Sequence, residues 1–238
     1  FGANLEAGID DARLAHGEVC SYASPRRLAV AVDSLARSQD DRSVEQMGPP
    51  VRVAFDADGN PTPAATAFAT KCGTTVEKLD RIETEKGEWL VFHTVEKGKA
   101  AAELLPDIIE RSLGSLPIPR RMRWCAGEAE FVRPVLWVVL LHGDEVIDSS
   151  VMSIAAGRVS RGHRFHSSGP VSISAPDDYL DALENDGFVI ADFARRRQMI
   201  IDGVDAAAER VGGNIVDGED LYDEVAALVE WPIPIVGA

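Results

Sequence analysis

The densest run of hydrogen-bond donors lies at 157–166, which reads G-R-V-S-R-G-H-R-F-H. Three arginines, two histidines and an aromatic ring in so short a stretch suit phosphate and base recognition. A guanidinium grips phosphate oxygens through a rigid fork, and Phe165 offers a face to a base or ribose. The same composition fits a strand whose alternate residues face solvent and pair with some of the 39 acidic side chains. A second basic run, R-R-M-R-W at 120–124, follows a proline-rich break, where a loop would present it. Between 120 and 166 seven arginines outnumber five acids, although the chain carries a formal net charge of −15. That charge repels phosphate on average, so any nucleic-acid contact has to be local. The candidate contacts are Arg120, Arg121, Arg123, Arg158, Arg161, His163, Arg164 and His166.

His163 and His166 also invite a metal, with Asp177 or Asp178 as third ligand. Spacing of three suits one face of a helix, but Gly162 and its flanks favour strand or loop, where such side chains point apart. No Glu stands between them as in H-E-x-x-H. Cys20, Cys72 and Cys125 are scattered without a C-x-x-C pair, which fits a reduced cytosolic protein and argues against a cysteine-based zinc site. No metal is expected. Asp177 reads as the acid of a capping box begun by Ser174, and Asp178 as a helix-start charge. Arg195, Arg196 and Arg197 fall in the first turns of a long helix, the unfavourable end for cations by up to roughly 1 kcal/mol each. Aliphatic stems covering the edge of the core explain them as well as a function does. There is no G-x-S-x-G, no S-x-x-K set, no G-x-x-x-x-G-K-[ST] and no G-x-G-x-x-G after a strand, so no catalytic residue is expected here.

The elements that must position these residues read as a mixture. Strands are expected at 27–35 after the Ser24-Pro25 turn, and at 51–55 after the Gly-Pro-Pro break at 48–50. The cluster D-A-D-G-N-P at 56–61 is a turn, and Thr62-Pro63 opens a helix closed by Gly73. Residues 81–85 and 88–95 flank Lys86-Gly87 as a hairpin. A helix over 99–113 contains Pro106, which predicts a kink or a late start. Beyond the prolines of 114–119, a buried strand spans 131–142 and 146–154 returns antiparallel to it. Short strands follow at 171–174 and 188–190. Asp192 caps a helix ended by Gly212-Gly213, and a last helix at 219–230 buries Leu221, Val225, Leu228 and Val229. The fold class is α+β, with mixed, mostly antiparallel sheets and packed helices in two small subdomains, 1–116 and 117–238. The longest apolar run, 135–141, is too short to span a bilayer, and no cleavable leader opens the chain. Residues 1–8 read as a helix already under way and 232–238 as an apolar strand-like run, so a fragment is expected.

Several stretches together resemble one family. They are S-P-R-R-L-A-V at 24–30, F-D-A-D-G-N-P-T at 55–62, K-G-E-W-L at 86–90, L-P-I-P-R-R-M-R-W at 116–124 and F-V-R-P-V at 131–135. R-G-H-R-F-H at 161–166, P-D-D-Y-L at 176–180, V-I-A-D-F-A at 189–194 and L-V-E-W-P at 228–232 complete the set. In this order they resemble the β subunit of bacterial tetrameric glycyl-tRNA synthetase. Ser24 stands where the family usually has Thr, Arg120 where it has Lys and Cys125 where it often has Gly. The resemblance implies an α2β2 class II enzyme of the cytoplasm that charges tRNA(Gly) with glycine using ATP. It implies that the adenylation site, with ATP and Mg, is on the α subunit, and that the β subunit handles tRNA and assembly. This chain would then be a non-catalytic N-terminal part, with no cofactor of its own, whose partners are the α subunit and tRNA(Gly) and not a membrane. An HD-type helical domain and an anticodon-binding region would lie further on. Two rival readings stand beside it: a metal-dependent hydrolase using His163 and His166, and an acidic protein-interaction scaffold.

Overall fold

The computed structural model describes residues 1–85, 87–124, 126–216 and 218–237. Lys86 and Cys125, expected in a hairpin turn and as one of three scattered thiols, lie outside them. The chain divides into one compact unit made of Phe1–Arg37 and Ala100–Ala238 and a second made of Ser38–Lys99. The units part at 37/38 and 99/100, so the proline-rich 114–119 segment lies inside the first unit.

The first unit opens with α1 (Gly2–Asp11) and the hairpin β1 (Val19–Ser24) and β2 (Arg27–Val32), closed by a two-residue Pro25-Arg26 turn. The second unit holds β3 (Arg42–Pro50), α2 (Val51–Ala54), α3 (Pro63–Lys71), β4 (Asp80–Thr84) and β5 (Gly87–Glu96), with antiparallel order β3-β5-β4. Ala54, Ala65, Ala69, Leu79 and Leu90 make its core. The expected strand at 51–55 is helix α2. Pro50 sets the backbone just before it (φ −57°), and the one-turn spacing buries Ala54 while Val53 stays exposed. Gly48 is required by packing, because a Cβ there would meet the Phe68 ring at 2.4 Å.

The first unit resumes with α4 (Ala101–Gly114), in which Pro106 is accommodated without ending the helix. Then come β6 (Met122–Arg123), β7 (Glu130–Phe131), β8 (Val138–Val139), β9 (Leu141–His142), β10 (Glu145–Val146), β11 (Ser150–Val151), β12 (Ile154–Gly157), β13 (Val159–Arg161) and β14 (Pro170–Ser172). The helices α5 (Tyr179–Asn185), α6 (Phe193–Val211) and α7 (Glu219–Leu228) complete it. The single buried strand expected at 131–142 is instead three two-residue pieces. Pro134 lacks a ladder donor, and Leu136 is 71% exposed. β9 and β10 pair antiparallel, as do β11 and β12, whereas β8 pairs parallel with β12. The α+β class with mostly antiparallel sheets describes the chain. Among the described residues no helix is long and apolar enough to cross a membrane.

Two cores organise this unit. Leu5, Ile9, Leu14, Leu105, Ile108 and Ile147 join α1 to α4, and Val171, Ile173, Leu183, Val189 and Ala191 gather beneath β14 and α5. Three local expectations change. Ser174 starts no capping box; a 3-10 turn at Pro176–Asp178 begins from Ala175 and makes no side-chain cap. Residues 188–190 are not a strand, since Phe188 sits at φ +53° and breaks any extended run. Among the described side chains of α7 the buried one is Ala226, while Leu221 and Leu228 are 57% and 70% exposed. The small Ala226 lets the α7 backbone approach α6, where its carbonyl takes a hydrogen bond at 2.8 Å from Arg196 Nε.

Candidate nucleic-acid interface

The side chains that build the site were not the ones the charge runs marked. At its centre is the tip of the β1–β2 hairpin. Arg26 Nη2 donates to Glu230 at 2.7 Å and to the Gly162 carbonyl at 2.8 Å, and Arg26 Nε reaches the same carboxylate at 3.1 Å. Arg27 donates to the other Glu230 oxygen and to the Arg161 carbonyl. Ser24 Oγ adds a hydrogen bond to Glu230 at 2.9 Å. Glu230 is 6% exposed, as befits a carboxylate ringed by donors. Burial would raise its pKa, but the Arg26 hydrogen bonds and the Arg27 charge hold it below the ordinary carboxylate value. Burial also pushes the Arg27 guanidinium down and Tyr179, close by, up to about 12. Trp137 lies 5.6 Å from the Arg27 guanidinium carbon, and Arg133 donates to the Pro25 carbonyl at 2.7 Å. The hairpin tip thus fixes the backbone of 161–162 and ties down Arg133.

A second buried cation supports the same region. Arg196 is 1% exposed inside the first turn of α6, whose N-cap Asp192 accepts from the Arg195 amide at 3.0 Å. Its guanidinium donates to the carbonyls of Ile190, Ala226 and Ala23, the last at 2.9 Å. This accounts for the arginine triplet at the unfavourable end of the helix. Arg196 cross-links three backbones, and Arg195 and Arg197 pair with Glu184 and Asp223. No local pattern announces the buried Arg27–Glu230 pair, whose partners stand 203 positions apart in the chain.

The eight candidates divide by what their side chains touch. Arg121 donates to the carbonyls of Gly114 (2.6 Å) and Leu116 (3.3 Å), closing the turn after α4. Arg158 donates to the carbonyls of Asp144 (2.8 Å) and Ser174 (3.0 Å), bracing two loops. These two are structural braces with little freedom to reach a ligand. Arg120 and Arg123 are exposed at the head of β6, and Arg123 faces Glu130 across the ladder. Arg161 is exposed at the end of β13 and Arg164 and His166 on the loop after it, with His163 half-buried among them.

That loop is stiff. The His163 amide donates to the Gly187 carbonyl at 2.6 Å, and His163 Nδ1 accepts from the amides of Phe165 and His166, both at 3.3 Å. Gly162 is buried, and a Cβ there would stand 2.1 Å from Ser167 Oγ. The two histidine rings do not point apart as expected. They stack, with centroids 4.4 Å apart and planes at 23°. Stacked rings present their edges side by side instead of converging on one point, and His163 Nδ1 is already spent on the backbone, so the pair is poorly arranged as metal ligands. Burial, then the charges of His166, Arg26 and Arg27, lowers the pKa of His163, which favours the neutral acceptor seen here. Phe165 stands outward, 84% exposed. The arrangement is an electropositive, aromatic loop on a rigid base.

The profile of the family described as glycyl-tRNA synthetase beta subunit matches residues 1–238. Glycine–tRNA ligase beta subunits resemble the chain along its length: that of Marinobacter nauticus is 52% identical over 238 residues, and that of Stutzerimonas stutzeri 50% over 236. The beta subunit of Cronobacter sakazakii is 47% identical over 233 residues. These alignments cover 100%, 99% and 98% of this chain and 34% of each relative, so the chain spans about a third of their length. A match without gaps in coverage, running through the hairpin tip, the arginine loop and the Glu230 segment alike, shows that the chain belongs to the glycyl-tRNA synthetase beta subunit family.

Proposed function

We propose that this chain is a non-catalytic, tRNA-handling and assembly portion of a glycine–tRNA ligase in the cytoplasm. In this reading the enzyme charges tRNA(Gly) with glycine, and the adenylation chemistry, with ATP and Mg, belongs to the α subunit. The observation that carries the tRNA role is the end of β13 and the loop after it, where Arg161 and Arg164 are exposed and where Arg26 and Arg27, both paired with Glu230, hold the carbonyls of 161 and 162. A guanidinium on a fixed base loses little freedom when it meets a phosphate, which favours binding over a mobile surface charge. Arg120 and Arg123 offer a second exposed pair. Arg121 and Arg158, whose guanidiniums hold backbone carbonyls, would contribute by bracing the neighbouring chain.

The test is steady-state charging by the full-length β subunit assembled with α, comparing the parent with Arg161→Glu/Arg164→Glu. The expected result is a higher KM for tRNA with an unchanged rate of glycine-dependent pyrophosphate exchange into ATP. An unchanged tRNA KM would remove the tRNA role from this loop. A lost exchange rate would place the loop in the adenylation chemistry or in assembly instead.

A further inference from the structure

We propose that Phe165 is a stacking platform for one unpaired base of the bound RNA, an inference that rests on the tRNA reading above and names what this loop takes. Burying an apolar ring of this size is ordinarily favourable, yet Phe165 is 84% exposed. The chain beneath it is held. The amides of Phe165 and His166 both donate to His163 Nδ1, and the His163 amide to the Gly187 carbonyl, which fixes the backbone from which the ring projects. On its inner side the Phe165 ring meets the His163 ring at 6.1 Å and 58°. His166 stacks on His163 and abuts Phe188 at 6.0 Å, and Phe188 meets Trp231 edge-on at 5.4 Å. The His163 ring therefore backs Phe165, and a series of three more rings runs on to the segment that carries Glu230.

Phe165 is open to solvent, with exposed Arg164 beside it on the loop and exposed Arg161 at the end of β13 four residues before it. Aromatic face and flanking guanidiniums together match a nucleotide, whose base is flat and whose phosphates lie to the side. A protein hot spot of the same size would favour a desolvated apolar surround, whereas Arg164, His166 and Ser168, its neighbours along the chain, are all exposed. A base in a duplex has no free face, so the platform takes an unpaired one.

The experiment uses the full-length β subunit assembled with α, and tRNA transcripts carrying 2-aminopurine at one unpaired position at a time. The parent should change the fluorescence at one such position. Phe165→Trp should keep the change. Phe165→Leu, which retains apolar volume but no π-face, should lose it and weaken binding roughly 5- to 150-fold. The dependence of log affinity on log salt should stay the same in Phe165→Leu, because no phosphate contact is lost. If Phe165→Leu matches the parent at every position while Arg161→Glu still weakens binding, the platform is wrong and the tRNA surface stands. If Arg161→Glu also matches the parent, the reading beneath the platform fails with it. Impaired subunit assembly with unchanged RNA affinity in Phe165→Leu would make Phe165 a protein contact and overturn the proposal.

Discussion

Removing the Glu230 carboxylate should destabilise the fold far more than the loss of an ordinary surface acid would. Glu230 is 6% exposed and accepts from Arg26, Arg27 and Ser24. The Arg27 side chain is 3% exposed, with its Nε buried and unpartnered among the described residues. Glu230→Ala leaves that guanidinium as an uncompensated buried cation, which costs about 3–5 kcal/mol. Glu230→Gln keeps the shape and one acceptor but loses the charge, so roughly 1.5–3 kcal/mol is expected. Replacing both partners, as Arg27→Met with Glu230→Leu, should cost less than Glu230→Ala alone, since no charge is stranded. Urea unfolding of the four proteins provides the free energies, and amide exchange at 161–163 reports whether the loop loosens. Glu230→Ala within about 0.5 kcal/mol of the parent, the range of an ordinary surface change, would refute the reasoning.

Acid should act through the same groups. Glu230 has a depressed folded pKa, so its contribution is present above the ordinary value of 4.5 and is lost as pH falls through the folded one. His163 is also depressed, so stability should already decline as pH drops below 6.5, where the unfolded chain takes up the proton first. A His163→Gln variant whose melting temperature keeps the parental slope between pH 7 and 5 would contradict this. Arg196→Met should cost about 2–4 kcal/mol, because it strips donors from three carbonyls, and chemical denaturation measures it directly. Gly162→Ala should cost roughly 1–3 kcal/mol by forcing Ser167 aside, and a wild-type unfolding midpoint would show that the loop yields.

The α+β class, the hairpin of β4 and β5, the Asp192 cap and the Gly212 stop at φ +66° were legible because each rests on local chemistry. What escaped was non-local. Arg196 looked like a surface cation, and only the tertiary approach of α7 and β1 turns it into a backbone cross-link. Leu221 and Leu228 matched a helical period, but the side of α7 that packs is the one where Ala226 permits close approach. The arginine loop was visible from its composition, yet composition alone could not separate Arg121 and Arg158, which hold carbonyls, from Arg161 and Arg164, which face solvent. The stacking of His163 on His166 depends on a turn that neither residue type announces.

Contact of RNA phosphates with Arg161, at the end of β13, and Arg164, on the loop after it, would set the salt dependence of binding. The measurement is tRNA affinity of the assembled full-length enzyme across a salt series, for the parent and for Arg161→Glu/Arg164→Glu. Each lost phosphate contact lowers the slope of log affinity against log salt by about 0.7–0.9. Weaker binding and a slope smaller by roughly 1.4–1.8 are expected for two contacts. Equal affinities and equal slopes would contradict it and leave the loop a solvated face.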